Sequence, residues 1–182
     1  MPAAENFTIR LATTEDIPAL ATLIDQSVRK LQQHDYTPAV IEAALGFAFT
    51  PDLQLIADQT YFVATPINEP ETLAAAGGWS FRKKLCGGEC ENPAPLSPET
   101  DAAKIRAFFV HPKFARQGLG SLLLSHCEAA AKSAGFTRTE MGSTLTGVNL
   151  YLRHGYMETD RFTVPLPNGE SLPVVHMTKT LA

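Results

Sequence analysis

The stretch that decides the fold is Val110-His111-Pro112-Lys113-Phe114-Ala115-Arg116-Gln117-Gly118-Leu119-Gly120-Ser121. The apolar run at residues 105–110 predicts a buried strand, and residues 122–131 after the stretch predict a helix. A strand, a basic turn with glycines and a helix N-terminus together favour phosphate binding. The reason is that unpaired N–H groups and the helix dipole attract an anion at that end.

Two common phosphate-binding motifs do not fit this turn. The Walker-type loop requires G-x-x-x-x-G-K-[ST], which the sequence does not contain. The dinucleotide fingerprint requires G-x-G-x-x-G, and Leu123 stands where its third glycine belongs. Gly118 and Gly120 still permit close approach of a phosphate to the backbone, and Arg116 can add a charge-assisted contact.

Residues 105–136 resemble the acyl-CoA-binding core of the GNAT superfamily of N-acetyltransferases. In that family a strand ends in V-x-P, and a loop [QR]-x-x-G-x-[GA] holds the CoA pyrophosphate at the start of a long helix. This chain has Val110-His111-Pro112, followed by Ala115-Arg116-Gln117-Gly118-Leu119-Gly120. Ala115 departs from the pattern, so the resemblance leaves the pyrophosphate mainly to backbone amides, with Arg116 beside them.

A second block, residues 144–156, looks like the family pattern N-x-x-A-x-x-[FL]-Y-x-x-x-G-[FY]. Tyr151 falls on the tyrosine, and Gly155-Tyr156 falls on the terminal pair. Thr144 replaces the asparagine and Gly147 replaces the alanine. The two blocks occur in the family order, and the resemblance mainly covers residues 101–182.

The resemblance implies an α+β chain with a GNAT-like fold, in which a central mixed, mostly antiparallel sheet is flanked by helices and splayed at the acyl-CoA site. It implies transfer of an acetyl group from acetyl-CoA, the acyl-donor cosubstrate, to a primary amine by direct attack on the thioester. Tyr151 is the expected general acid, since a phenol of pKa about 10 is protonated at neutral pH. The expected donor-binding residues are Phe108, Phe109, Val110, Arg116, Gln117, Gly118, Leu119, Gly120 and Ser121.

The resemblance also allows a non-catalytic acyl-CoA-binding module, and it names no acceptor beyond a small-molecule or peptide amine. The general base stays open, because residues 105–109 contain no carboxylate. Glu140, His111 and the segment 34–36 are weaker alternatives, and deprotonation through water is another. The net charge of −4 suits a cationic amine.

Hydrophobic periodicity and turn residues outline the remaining elements. Helices are expected to begin near Ile17, Thr37, Gly118 and Val148. Gly77-Gly78 predicts a bulge or a close backbone approach. The predicted strands are residues 7–11, 53–57, 61–65, 73–84, 104–110, 137–144, 162–166 and 173–180.

The composition predicts one globular domain spanning residues 1–182 and argues against a nucleic-acid-binding surface. Neither a membrane-spanning run nor a signal peptide is recognised, so a cytoplasmic location is expected. Cys86 and Cys90 lack the second ligand pair of a structural zinc site, so no metal is expected, and Cys127 is expected to be a buried helix residue. Residues 85–100 predict a long surface loop, and analogy with the family allows a homodimer.

Overall fold

The computed structural model describes residues 5–85 and 93–181. Within these ranges a seven-stranded sheet has the strand order β1-β2-β3-β4-β5-β7-β6. The strands are β1 Phe7–Leu11, β2 Tyr61–Pro66, β3 Ala75–Ser80, β4 Ala103–Val110, β5 Arg138–Thr144, β6 Met157–Pro165 and β7 Ser171–Thr180. The helices are α1 Ile17–Leu31, α2 Pro38–Ala44, α3 Leu53–Ala57, α4 Leu119–Ser133 and α5 Val148–Arg153.

The centre of the sheet is a seam between β4 and β5. These two strands are parallel, whereas all other neighbouring strands are antiparallel. Their ladder contains two register pairs, Ala103 with Thr139 and Lys104 with Glu140. Beyond Lys104 the strands separate, so the sheet is mixed, mostly antiparallel and splayed at this seam, which confirms the expected fold class.

A bulge in β4 faces β3 immediately after the paired part of the seam. Ala76 pairs with Phe109 and Gly78 pairs with Arg106, so two β4 residues lie opposite Gly77. The first of the two, Ala107, has the left-handed φ of 56°, and its carbonyl accepts a hydrogen bond from the buried Tyr61 hydroxyl at 3.2 Å.

Gly77 is required where the bulge lies against β3. A Cβ at this position would lie 2.8 Å from the ring of Phe108, so the glycine allows the aromatic ring to rest directly on the β3 backbone. The close approach predicted from Gly77-Gly78 is confirmed, and the bulge lies opposite Gly77, in β4 rather than in the strand that carries the glycines.

The two faces of the sheet bury different apolar clusters. Val174 packs in the cluster that contains residues of α1 and α2, whereas the next residue, Val175, packs in the cluster that contains residues of α4. Side chains of successive strand residues point to opposite faces. Helices α1 and α2 therefore cover one face of the sheet, and α4 covers the other.

Most predicted elements are confirmed within one or two residues, although the strand predicted at 162–166 begins earlier, at Met157. The strand predicted at 53–57 is wrong. These residues form the short helix α3, and the Asp52 carboxylate caps it by accepting a hydrogen bond from the Leu55 N–H at 3.2 Å. Four apolar residues around Gln54 fit either element by periodicity, and the capping residue decides for the helix. The predicted strand at 73–84 is also shorter, since β3 covers Ala75–Ser80.

Two further sequence expectations concern cysteines and membranes. Cys127 is buried on α4, as expected, whereas Cys86 and Cys90 lie outside the described residues. In the described part of the chain no helix has the length and apolarity needed to cross a bilayer.

Candidate active site

The separation of β4 from β5 opens a cavity of about 810 Å³. Residues 105–109 of β4 and 141–144 of β5 form its walls, and Tyr151 of α5 lies on its lining. The segment 46–54, which leads into α3, also lines it, together with Gln32 at the end of α1. Because its lining includes Phe109 from one apolar cluster and Tyr151 from the other, the cavity passes through the plane of the sheet.

The N-terminus of α4 begins at the glycine turn that the sequence singles out. Gly118 is the N-cap with φ 84°, and the first helical hydrogen bond runs from the Leu122 N–H to its carbonyl at 2.9 Å. The N–H groups of Leu119, Gly120 and Ser121 precede that bond, so they have no partner within the helix. The turn therefore presents a row of backbone donors at the positive end of a 15-residue helix.

The basic side chains of this turn differ in their partners. Lys113 is paired with Glu69 at 2.8 Å, so its charge is already balanced. Arg116 is exposed, has φ 61° and makes no ion pair among the described residues. Its guanidinium is the charge that remains for an anion at the α4 N-terminus.

Two predicted donor-binding residues also connect α4 to α5. A Cβ at Gly120 would lie 2.9 Å from Leu150 Cδ2, so the missing side chain makes room for α5. Ser121 Oγ lies 2.8 Å from His154 Nε2. The start of α4 and the helix that carries Tyr151 are thereby held together.

One edge of the end of β4 has no strand partner. His111 donates its N–H to the Ala74 carbonyl at 2.8 Å, whereas the Val110 N–H faces away from β3 and donates to Ser27 Oγ at 3.3 Å. Backbone groups alternate between the two edges of a strand. Those of Phe108 and Val110 therefore face the seam, where β5 no longer pairs.

The side chains of the two predicted phenylalanines pack on opposite faces. Phe109 contacts Phe49 edge-on with ring centroids 6.0 Å apart, and Phe108 contacts Tyr151 edge-on at 6.2 Å. Aromatic packing thus explains both side chains, whereas only the backbone groups of Phe108 face the seam.

Tyr151 is 7% exposed and lines the cavity. Burial raises the pKa of its phenol above the ordinary value, because the charged form would lose hydration. Its hydroxyl has no hydrogen-bond partner among the described residues. Gly147 lies against the ring, since a Cβ there would approach Tyr151 Cε2 to 3.0 Å. Tyr151 therefore keeps its proton at neutral pH, and its hydroxyl is not committed to another described residue.

The weaker candidates for a general base lie away from the cavity lining. Glu140 is paired with Lys104 and lies 2.8 Å from His176 Nε2. His111 Nδ1 accepts the Lys113 N–H at 3.0 Å. The Tyr36 hydroxyl accepts the Leu145 N–H and donates to the Pro173 carbonyl, and burial raises its pKa to about 12.

Sequence reasoning missed three polar residues that line the cavity. Arg106 Nη2 lies 2.6 Å from Asp52 Oδ2, with 7% and 13% of their side chains exposed. Gln32, at the end of α1, is 6% exposed, and its Oε1 is buried without a partner. Arg106 could have been noticed as a charged residue inside the apolar run of β4. Asp52 could have been noticed as a capping residue three positions before Leu55. Nothing in the sequence marked Gln32.

Comparison of the sequence with family models matches residues 80–158 to the acetyltransferase (GNAT) domain. This range contains β4, the glycine turn, α4, β5 and α5, and thus most of the site described above. No curated protein matches the sequence.

Solved structures share the fold over nearly the whole chain. The GCN5-related N-acetyltransferase of Rhodopseudomonas palustris is similar with a TM-score of 0.73 and 21% identity, covering 97% of this chain and 96% of that one. The PaiA N-acetyltransferase of Thermoplasma acidophilum, solved in complex with coenzyme A, has a TM-score of 0.68 and 14% identity, covering 96% and 98%. The ribosomal-protein-S18-alanine N-acetyltransferase of Escherichia coli has a TM-score of 0.59 and 18% identity, covering 97% and 94%.

Proposed function

We propose, given that the chain belongs to the GNAT superfamily of acetyltransferases, that it transfers an acetyl group from acetyl-CoA to a primary amine. The observation that carries this proposal is the opening of the β4–β5 seam. It brings a strand edge without a strand partner and Tyr151, whose hydroxyl has no partner among the described residues, onto one cavity. The coenzyme A complex of a protein with the same fold supports the choice of donor.

The donor is held by groups that the chain already exposes. Backbone N–H groups at the start of α4, together with Arg116, bind the pyrophosphate. The seam edge of β4, at Phe108 and Val110, pairs with the amide groups of the pantetheine arm in the manner of an added strand. The Val110 N–H is the donor on this edge that can polarise the thioester carbonyl, since its present bond to Ser27 is long.

In the reaction, the amine nitrogen bonds to the thioester carbon, the carbon–sulfur bond breaks, and coenzyme A leaves. Tyr151 gives its proton to the departing sulfur and regains one from solvent. Water takes the proton that the nitrogen loses, because the described lining holds one carboxylate and both of its oxygens are engaged. In that carboxylate, Asp52, Oδ2 contacts Arg106 and Oδ1 caps α3.

The experiment is a calorimetric titration of the purified chain with acetyl-CoA, followed by an amine panel in which release of free thiol is measured. Binding with amine-dependent thiol release is the expected result. Binding without release from any amine would favour the non-catalytic acyl-CoA-binding module. A folded sample that does not bind acetyl-CoA would contradict the assignment of residues 116–121.

A further inference from the structure

The cavity has a second half that donor binding leaves unexplained. Tyr151 and Met141 belong to the cluster beside α4, on whose side of the sheet the donor turn lies. Gln32, Phe49 and the segment that leads into α3 lie on the opposite side. If the proposed function holds, the donor occupies the first half and the acceptor reaches the thioester from the second.

Arg106 brings unused hydrogen-bond donors into this second half. Its guanidinium carries five N–H groups, yet two contacts are present, to Asp52 at 2.6 Å and to the Lys84 carbonyl at a marginal 3.5 Å. The residue is 8% exposed, yet none of its nitrogens is among the buried atoms that lack a partner, so the remaining N–H groups are accessible. The planar fork of an arginine can donate to a second carboxylate beside Asp52.

Gln32 provides the complementary group. Its Oε1 is a buried acceptor without a partner, in a residue on the cavity lining. The backbone is fixed at this point because the Gln32 N–H donates the last hydrogen bond of α1, to the Val28 carbonyl at 3.1 Å. A turn of the side chain toward the cavity would let this oxygen accept an N–H from a bound amine.

The charge of the cavity lining limits the acceptor further. The charged groups of the described lining are Asp52, Lys84 and Arg106, two cations and one anion, which gives +1 in a chain of net charge −4. A polyamine would add positive charge here and leave the Arg106 donors unmatched. A molecule with both an amine and a carboxylate adds no net charge and matches both kinds of group.

The rim of the same half is apolar. Phe47 and Leu53 line the cavity with 38% and 60% exposure, and Phe49 lies deeper, against Phe109. We propose that the acceptor is an α-amino acid with an apolar side chain. Its carboxylate binds Arg106, its amine lies at Gln32 Oε1, and its side chain contacts Phe47.

The test compares L-phenylalanine with 2-phenylethylamine, which differ only in the carboxylate, using acetyl-CoA and thiol release. We expect the native chain to favour the amino acid in kcat/KM by on the order of 100-fold, since a site built for a polar group rejects an analogue that lacks it. The double variant Asp52→Asn with Arg106→Gln removes both charges together and keeps a capping side chain on α3. It should reduce the preference to near one.

The matched control is the double variant Arg10→Gln with Asp16→Asn. It removes another Arg–Asp pair, joined at 2.7 Å but remote from the cavity lining, and should keep the preference. If the Asp52/Arg106 variant does not fold, Arg106→Lys keeps the charge but loses the planar fork, and should lower the preference about tenfold.

Equal use of the two amines by the native chain would overturn the proposal, as would a preference that survives the Asp52/Arg106 substitutions. Binding of N-acetyl-L-phenylalanine and of N-acetyl-2-phenylethylamine is measured separately by calorimetry, with and without CoA. If turnover is absent, tighter binding of the carboxylate compound still supports the acceptor class, and binding of neither overturns it. Failure to bind acetyl-CoA refutes the proposed function instead, so the two failures are distinguishable.

Discussion

Tyr151 combines two properties that a proton donor to a leaving thiolate needs. Burial raises its pKa, so the phenol holds its proton at neutral pH. The residue lines the cavity, and its hydroxyl has no hydrogen-bond partner among the described residues. The neighbouring Tyr156 has the same side chain, with ring centroids 5.7 Å apart, but its hydroxyl is bound to Thr139 at 2.9 Å. Two adjacent tyrosines thus differ in whether the hydroxyl is available.

Tyr151→Phe should lower kcat by about 10²- to 10⁴-fold, the usual contribution of a positioned acid. The dissociation constant for acetyl-CoA should change little, because the ring and its packing are kept. Steady-state kinetics and calorimetry on the same preparation measure the two quantities. Tyr156→Phe is the control and should lower stability rather than kcat; an unchanged kcat for Tyr151→Phe would remove the residue from the mechanism.

Among the elements, the turn before α4 depends on one glycine that no other residue replaces without strain. Gly118 has φ 84° at the N-cap, where its carbonyl begins the helical ladder. A residue with a Cβ is strained at this φ by roughly 1–2 kcal/mol. The strain falls on the turn whose N–H groups are proposed to meet the pyrophosphate.

Gly118→Ala should lower stability by about 1 kcal/mol and also weaken acetyl-CoA binding by at least tenfold. Gly155→Ala is the matched control, since Gly155 has φ 82° after α5 and a Cβ there meets nothing within 4 Å. It should cost similar stability and leave acetyl-CoA affinity unchanged. Urea unfolding and calorimetry test both variants, and equal affinity losses would argue against the α4 site.

The sequence predicts best those elements whose structure is determined by residues close together in the chain. Helix α4 and strand β4 follow from long periodic patterns, and the glycine turn between them follows from residue type. Helix α3 was predicted as a strand because five residues, four of them apolar, are too few to show a distinctive period. The cavity and the Arg106–Asp52 pair could not be predicted, because they depend on segments far apart in sequence meeting at the seam.

For the whole molecule, the sheet consists of two antiparallel units, β1–β4 and β5–β7, joined at the short parallel ladder. Side-chain ion pairs add connections within and between these units. One of them joins Arg82 after β3 to Asp58 after α3, with atoms 2.6 Å apart and side chains 18% and 7% exposed. The Arg82 guanidinium lowers the pKa of Asp58 below its ordinary value.

The stability of the folded chain should therefore depend on pH through this ion pair. Since the pKa of Asp58 is lower in the folded chain, its contribution is present above the unfolded value near 3.8 and is lost as pH falls through the folded value. Asp58→Asn should cost about 1–3 kcal/mol at pH 7 and less at pH 3. Urea unfolding at both pH values measures this difference.

The exposed pair of Arg161 with Glu158 provides the comparison. Glu158→Gln should change stability less at either pH, because solvent screens the charges of an exposed pair. An Asp58→Asn cost that is the same at pH 3 and pH 7 would contradict the assigned role of the Asp58 carboxylate.

The seam also bears on strand pairing between separate molecules. An unpaired strand edge is a template for pairing with another polypeptide, and proteins usually shield such edges at the margin of a sheet. Here the edge of β4 lies in the middle of the sheet, between its own neighbours and beneath α5. Strands on both sides of this edge leave less room for a strand of a second molecule than the margin of a sheet does. The proposed pantetheine arm, which is narrower than a polypeptide strand, is the partner that we expect to pair there.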